Sequence, residues 1–244
     1  MNEHHVIIRE IKLRLSLNPD WMGGGQVFLD ALKSRGWNLY LLGGVVRDSA
    51  IKVLSGIEIP MSDLDFVVEG CKSQDDLREA LSGFKFMQNS FGGFKVIFGD
   101  LTVDVWRIED QLGINDSVGA PTILKLLHIV TTSADAIAFD FFSGKIIDQG
   151  ALNSISQQTI GLNLNSHWTP RVVSHHIAHI AKMMGRTDFV LSGSLRNKIK
   201  EWFQFVDLCE SKNHLSKDVG AHNADIFVDR LFKSVGVSLP HIVK

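Results

Sequence analysis

The chain has 244 residues, 45% of them hydrophobic, so it can bury a full core as one compact domain or as a head with a smaller appendage. It has no fixed-period repeat or low-complexity stretch, which argues against a solenoid or a disordered tail. With 25 basic and 27 acidic residues, its net charge of -2 gives no general attraction to nucleic acid.

Charge is distributed unevenly along the chain. Residues 161–244 contain 11 Lys/Arg against 7 Asp/Glu, whereas residues 1–160 contain 14 against 20, so the two parts carry +4 and -6. A mildly basic surface beside an acidic, metal-binding head would suit a polyphosphate or RNA ligand. Random surface variation explains the asymmetry equally well.

Targeting and redox features are sparse. The first twenty residues lack a long apolar core and a cleavage site, and no segment runs 18 residues without polar interruption, so we expect neither export nor a membrane span. Cys71 and Cys209 are too few for a disulfide framework or a four-ligand zinc site. We therefore expect a cytoplasmic protein.

The first predicted elements are helices. Residues 3–17 and 26–35 have helical apolar spacing, and the glycine run 23–25 is expected to separate them. Residues 37–44 then predict a strand that ends in a glycine turn, and residues 45–56 predict a helix with a terminal glycine.

A sheet follows in the sequence. Residues 62–70 predict a strand, and residues 73–83 a helix with Ser73 as a possible cap. The segments 84–89, 93–100 and 101–110 are short and β-rich, the last two forming a hairpin around Gly99 and Asp100.

The final strands are predicted in residues 136–148, as a hairpin that turns at Ser143 and Gly144. From about Thr169 the pattern is helical, in segments 169–185, 194–209 and 223–236. We predict an α+β fold in which residues 1–160 form a head with a β-sheet and flanking helices, and residues 161–244 form a small helical domain.

Two carboxylates lie on the predicted strand 62–70. Asp63 and Asp65 leave the same face because they are two residues apart, while Leu64 and Phe66 point to the other face. Adjacent carboxylates repel each other, and a divalent cation such as Mg²⁺ would relieve that repulsion. A solvated strand end is the alternative interpretation.

A third carboxylate, Asp104, lies in a strand whose apolar residues alternate with polar ones. It is therefore expected on the face opposite Val103 and Val105. If this strand neighbours that of Asp63, three carboxylates converge, as two metal ions require when they clamp a phosphoryl transfer. An isolated surface aspartate is the alternative.

Gly43 and Gly44 lie where the strand passes into a helix, so backbone N–H groups at the helix N-terminus can approach phosphate closely. A simple tight turn also explains the glycine pair. Arg47 and Asp48 fall in the first helical turn, where the helix dipole favours the aspartate and disfavours the arginine. Arg47 is therefore the stronger candidate for a functional role, although an ordinary Arg–Asp ion pair at the surface is the simpler interpretation.

Taken in order, the segments LLGGVVRD, SDLDF and VDVWR resemble the head of the class II nucleotidyltransferases. This is the bacterial poly(A) polymerase and CCA-adding enzyme family, within the DNA polymerase beta-like superfamily. The residues that match its motifs are Gly43, Gly44, Arg47, Asp48, Asp63, Asp65, Asp104 and Arg107.

The resemblance implies a mixed sheet with helices on one side, two Mg²⁺ ions and a nucleoside triphosphate donor. Asp63, Asp65 and Asp104 would be the catalytic metal ligands. The nucleotide would be held by the residues Gly43, Gly44, Arg47, Asp48, Arg107 and Arg171. The implied reaction moves a nucleoside monophosphate to an acceptor hydroxyl, with an RNA 3′ end as the preferred acceptor by family analogy.

Two family motifs are degraded. Ile129, Val130 and Thr131 stand where the family has Arg-Arg-Asp. The segment 169–185 is similar in register to the helix that carries Glu-Asp-x-x-Arg and reads the base, and Arg171 alone remains there. The resemblance covers residues 38–190 and does not include the body and tail with which full CCA-adding enzymes hold tRNA.

Other readings stay open. The chain could be a non-catalytic nucleotide-binding or interaction module, or an oligomer or accessory subunit completed by a partner chain. His175 and His179 are one helical turn apart and could share a metal or a phosphate, although ordinary surface histidines are the simpler account. Trp202, Phe203 and Phe205 are expected in the core rather than in a base-stacking platform.

Overall fold

The computed structural model describes residues 2–89, 92–111, 114, 119–163, 170–204 and 206–237, excluding the side chains of residues 170 and 171. Its centre is a seven-stranded mixed sheet in the order β3-β4-β5-β2-β1-β6-β7. The strands β2 and β5 pair in parallel, and the other neighbours in this sheet pair antiparallel. The strands are β1 (Asn38–Leu42), β2 (Asp63–Glu69), β3 (Phe86–Gln88), β4 (Phe94–Phe98), β5 (Leu101–Arg107), β6 (Ile137–Asp140) and β7 (Lys145–Asp148).

Ten helices are described. They are α1 (Glu3–Leu17), α2 (Pro19–Lys33), α3 (Gly43–Ser55), α4 (Gln74–Ala80), α5 (Ile123–Ile129), α6 (Ala151–Ser156), α7 (Pro170–Arg186), α8 (Gly193–Trp202), α9 (Leu208–Val219) and α10 (Ala221–Ser234). None of them is both long and apolar enough to cross a membrane, within the part of the chain that the structure covers.

The predicted strand–turn–helix unit is confirmed as β1 followed by α3, which ends where Gly56 adopts a left-handed conformation at φ 75°. The predicted cap of α4 is also confirmed, because the Ser73 hydroxyl accepts a hydrogen bond from the Asp76 N–H. The hairpin between β4 and β5 turns at Gly99 and Asp100 as predicted.

The expected break at glycines 23–25 is wrong, since α2 runs through them. The break falls at Asn18, which ends α1 and whose side chain caps α2 by accepting from the Trp21 N–H. Glycines are tolerated within α2 for a packing reason. A Cβ at Gly24 would collide with the Phe98 ring, and one at Gly25 with the Trp21 ring.

The two faces of the sheet are covered unequally. The larger core contains Leu64, Phe66, Val103 and Val105 together with side chains from α1, α2 and α3. A smaller cluster on the opposite face packs Val67 and strand residues of β1 and β6 against α5. The one-sided arrangement that the resemblance implied is therefore corrected: α1, α2 and α3 pack on one face, and α5 covers part of the other.

That short helix is tied to the sheet by its first turn. The Ile123 N–H donates to the Glu69 carboxylate at 3.0 Å, and the Thr122 side chain accepts from the Lys125 N–H. Because a free helix N-terminus attracts a carboxylate, Glu69 at the end of β2 sets the position of α5 over the sheet.

The C-terminal helices pack onto the head without a separate core. The strands β8 (Thr159–Ile160) and β9 (Val190–Leu191) pair in parallel and join the two parts. Buried side chains from Ile7 to Val235 belong to one continuous cluster. A domain boundary after residue 160 stays a prediction.

The single helix expected over residues 194–209 is wrong. The helix α8 ends at Trp202, and a new helix, α9, begins after Asp207, whose side chain accepts from the Glu210 N–H. Trp202 is buried and Phe203 packs edge-on against Phe232, as expected of core residues. Phe205 lies outside the described residues.

If a partner chain completed this one, exposed apolar helix faces would be expected after residue 195, and this interpretation stays a prediction. Among the described residues of that region, Ile226 is the one large hydrophobic side chain that is strongly exposed, at 47%. A single exposed isoleucine is ordinary for a monomeric surface.

Candidate active site

Three carboxylates meet on the face of the sheet that carries α5. In the parallel pair of β2 and β5, Asp65 lies opposite Asp104 and Asp63 lies opposite Thr102. Val103 and Val105 are fully buried on the other face, so the predicted alternation in β5 is confirmed. The predicted adjacency of the two strands is confirmed as well, and it brings the three side chains to one end of β2.

Burial and nearby negative charge raise the pKa of two of these carboxyls, Asp65 and Asp104. Removal from water, followed by the charges of Asp63 and Asp104, raises the pKa of Asp65 to about 8. Burial likewise raises the pKa of Asp104 above its ordinary value. The Ser62 hydroxyl donates to Asp63 at 2.7 Å. Additional positive charge would relieve the repulsion between these carboxylates.

Two lysines supply part of that charge. The Lys95 ammonium lies 3.1 Å from the Asp104 carboxylate across the β4–β5 pair, and the charge of Lys182 on α7 also acts on Asp65. Sequence reasoning did not identify either residue. The alternation of Phe94, Lys95 and Val96 could have placed Lys95 on the carboxylate face, whereas nothing local to α7 points to Lys182.

The glycine turn is packed directly against the carboxylates. Leu42, the last residue of β1, pairs with Asp65 in the antiparallel register, and Gly43 follows at φ 65°. A Cβ at Gly43 would collide with the Asp65 carboxylate, whereas one at Gly44 would lie 3.6 Å from the nearest Asp48 oxygen. Gly43 is therefore required both for backbone conformation and for close approach.

Arg47 and Asp48 are buried beneath the site, where Arg47 is 6% exposed and Asp48 is 4% exposed. The Arg47 guanidinium donates to Asp48 and to Asp135, each at 2.8 Å. Burial alone would lower the pKa of Arg47, but the two carboxylates outweigh burial and raise it. The Arg47 guanidinium therefore lies within a buried ion-pair network and does not face open solvent.

Asp135 connects that network to the pocket. Its second oxygen lies 2.8 Å from His179 Nε2 and accepts from the Thr132 hydroxyl at 2.7 Å. Burial opposes ionisation of this carboxyl, yet His179 and Arg47 hold its pKa well below the ordinary value. Sequence reasoning missed Asp135, because its partner Arg47 is 88 residues away.

A pocket of about 260 Å³ opens beside the carboxylates. Ile129, Val130 and Thr131 contribute to its wall, so the segment that replaces Arg-Arg-Asp does line the site. The Thr131 hydroxyl lies 2.8 Å from His176 Nδ1. The full lining is Leu42, Gly43, Asp65, Trp106, Gln111, Leu126, Ile129, Val130, Thr131, Asp135, His176 and His179.

His176 faces this pocket as a neutral group. Burial, reinforced by the nearby His179 and His175, lowers the pKa of His176 to about 3. A neutral imidazole can donate one hydrogen bond and accept another. His176 was not singled out from the sequence.

One of the candidate nucleotide-binding arginines, Arg107, is not brought to the carboxylates. Arg107 pairs with Val68 of β2, further along the two strands than the Asp65–Asp104 pair. Its Nε donates to the Cys71 carbonyl at 3.0 Å. The backbone of residue 171 lies at the start of α7, but its side chain falls outside the description. A nucleotide contact from Arg107 or Arg171 stays a prediction.

The fold is that of the CCA-adding enzymes. A Thermotoga maritima CCA-adding enzyme complexed with tRNA superposes with a TM-score of 0.65 at 19% identity, over 94% of this chain and 53% of that one. A CCA-adding enzyme in complex with ATP gives 0.66 at 20% identity, over 94% and 54%. A tRNA nucleotidyltransferase with a primer tRNA and an incoming ATP analog gives 0.59 at 21% identity, over 85% and 60%.

This chain spans little more than half the length of these solved structures. No protein-family model matches the sequence, and no curated protein matches it in a sequence search. The likeness is therefore one of three-dimensional structure, and it confirms the fold implied by the sequence motifs.

Proposed function

We propose that this protein is a Mg²⁺-dependent nucleotidyltransferase that moves a nucleoside monophosphate from a nucleoside triphosphate to an acceptor hydroxyl. The observation that carries the proposal is the convergence of Asp63, Asp65 and Asp104 beside the Gly43 turn. Three carboxylates next to a helix N-terminus combine metal ligands with a phosphate-binding backbone.

The residues present fit two magnesium ions. The donor set is all oxygen, as Mg²⁺ prefers, and the raised pKa values of Asp65 and Asp104 reflect repulsion and burial that bound cations would offset. Asp63 and Asp65 would hold both ions, and Asp104 would hold the catalytic one. When bound, the ions would stabilise charge on the attacking and leaving oxygens.

The reaction is an in-line displacement. The acceptor oxygen forms a bond to the α-phosphorus of the donor while the bond from that phosphorus to pyrophosphate breaks. Backbone N–H groups after Gly43 and Gly44 would hold the donor phosphates, and Asp104 would accept the proton of the acceptor hydroxyl. Positioning and electrostatic stabilisation would supply most of the rate.

An RNA 3′ end, such as that of a tRNA, is the proposed acceptor. The solved structures of this fold include complexes with tRNA, ATP and CTP. The excess of basic residues after position 160 is consistent with a polyanionic acceptor. We place the reaction in the cytoplasm, because Cys71 and Cys209 are free thiols.

The pocket wall also favours a second candidate, a nucleotide-binding module without transferase activity. Ile129 and Val130 are apolar where the family motif is charged, and Arg47 is engaged by Asp48 and Asp135. Such a module would bind Mg²⁺–nucleotide through the carboxylates and release it unchanged.

A transfer assay separates the two candidates. The protein is incubated with each α-labelled nucleoside triphosphate, Mg²⁺ and either total RNA or tRNA that lacks its CCA end. Mg²⁺-dependent label in RNA, absent in Asp65→Asn, supports the transferase. Nucleotide binding by calorimetry without any incorporation supports the binding module, and absence of both overturns the site assignment.

A further inference from the structure

A second cluster of ligand-type side chains lies between α7 and α9. The imidazole rings of His175 and His214 lie 3.6 Å apart between centroids and are inclined by 35°. The Glu210 carboxylate lies 3.6 Å from His214 Nε2. One ligand atom from each of the three residues falls within 4.8 Å of the other two.

Helix geometry explains how the cluster forms. Glu210 and His214 are four residues apart on α9, so their side chains share one face of that helix. His175 reaches the same point from α7, which packs along α9 in the C-terminal part of the chain. The sequence suggested His179 as the partner of His175, but His179 is bound to Asp135 instead.

Two imidazoles and one carboxylate differ chemically from the all-oxygen cluster of the candidate active site. Imidazole nitrogen binds zinc and similar transition metals well, whereas Mg²⁺ prefers oxygen ligands. A divalent cation between the two rings would take one ring nitrogen from each imidazole.

We propose that His175, Glu210 and His214 form a binding site for a divalent transition metal of the zinc type. The site shares no ligand with the carboxylates proposed for magnesium and does not depend on the nucleotidyl transfer proposed above. A metal held there would connect α7 to α9 and stabilise the C-terminal helices in their packed arrangement.

The surroundings leave room for a further ligand. His175 and His214 line a cleft of about 280 Å³ together with His179, Lys182, Lys217 and Asp218, and Asp218 pairs with Lys182. Three protein ligands leave the fourth position of a tetrahedral zinc ion to water or to an anion.

The test uses the full chain without an affinity tag, freed of metal with a chelator and then titrated with Co²⁺ and with Zn²⁺. We expect one ion per chain, a visible Co²⁺ absorption band typical of tetrahedral coordination, and a higher melting temperature with Zn²⁺. Excess Mg²⁺ should not displace the ion, since its preferred ligands are oxygens.

Variants decide whether these three residues are the ligands. His175→Ala and His214→Ala should each weaken Zn²⁺ binding by at least about 100-fold, and Glu210→Gln should weaken it by at least about 10-fold. His222→Ala is the matched control, because His222 is an exposed histidine on α10. Since His175 is itself exposed, its truncation should not prevent folding.

The outcomes separate this site from the proposed active site. Asp65→Asn should retain Zn²⁺ binding while losing Mg²⁺-dependent nucleotide binding, and His214→Ala should show the reverse. Absence of stoichiometric binding in the unmodified chain would overturn the proposal. Equal Zn²⁺ affinity in the unmodified chain and in both histidine variants would overturn it too.

Discussion

Asp65 lies directly beside Asp104, because β2 and β5 run parallel in a register that pairs these two residues. Both side chains leave the sheet on the face opposite the main core. Without a bound cation the pair destabilises the fold, since burial and repulsion raise the pKa of both carboxyls. A cation bound between the carboxylates would offset this destabilisation.

Asp65→Asn should abolish Mg²⁺-dependent nucleotide transfer, with a decrease of at least about 100-fold, while the melting temperature stays the same or rises. Burial and the charges of Asp63 and Asp104 oppose ionisation of the Asp65 carboxyl, so replacing it with a neutral amide is not expected to lower the free energy of unfolding. Transfer assays and thermal unfolding in chelator measure the two effects. Asp100→Asn, in an exposed turn, is the control and should change neither.

Gly43→Ala should destabilise the protein by at least about 1 kcal/mol, because alanine is strained at a φ of 65° and its Cβ would collide with the Asp65 carboxylate. Nucleotide affinity should fall in parallel, since the carboxylate must move. Chemical denaturation and calorimetry provide the readouts.

Gly44→Ala is the matched control for the Gly43 substitution. Gly44 lies in the helical turn without a left-handed backbone, and its added Cβ would meet the nearest oxygen at an ordinary 3.6 Å. We expect a change in stability of less than about 1 kcal/mol. Equal effects of the two substitutions would contradict the close approach of Gly43 to Asp65.

Asp135→Asn should cost about 3 kcal/mol of stability at neutral pH, because it breaks the buried ion pair with Arg47 and weakens the hydrogen bond with His179. The native pKa of Asp135 is lowered, so its contribution is fully present well above the unfolded value of about 4 and is lost as pH falls below it. Unfolding free energies of both proteins between neutral and strongly acidic pH should therefore converge on the acid side. A constant difference would show that ionised Asp135 is not the stabilising form.

Base selectivity should be weak, with ATP, CTP, GTP and UTP binding within about tenfold of one another, or roughly 1.4 kcal/mol. The wall formed by Ile129 and Val130 offers no side-chain hydrogen bonds to a base edge. Contact with the base through apolar side chains such as these cannot strongly reject a wrong base. Calorimetric titration of the four nucleotides in Mg²⁺ measures this directly.

Arg171 and His176 are the residues that could restore selectivity. The first was expected from the sequence to approach the base, and the second faces the pocket as a neutral imidazole. A hundredfold preference for one base, lost in Arg171→Ala or in His176→Ala, would refute weak selectivity and identify the responsible side chain.

The sequence alone determined the features that depend on neighbouring residues. Two-residue alternation placed Asp63 and Asp65 on one strand face and Asp104 opposite its valines, and a strand ending in Gly43 predicted the turn into α3. These patterns are local because strand pleating and turn conformation are set within a few residues. The mixed strand directions of the sheet were implied by the family resemblance, not by these patterns.

Tertiary structure decided everything that joins distant segments. Strand order put Asp104 beside Asp65, and burial turned Arg47 toward Asp135, 88 residues away. The packing of α7 on α9 paired His175 with His214 and left His179 to Asp135. Periodicity specifies which face a side chain occupies but not which element covers that face, because the choice is made by long-range packing and charge pairing.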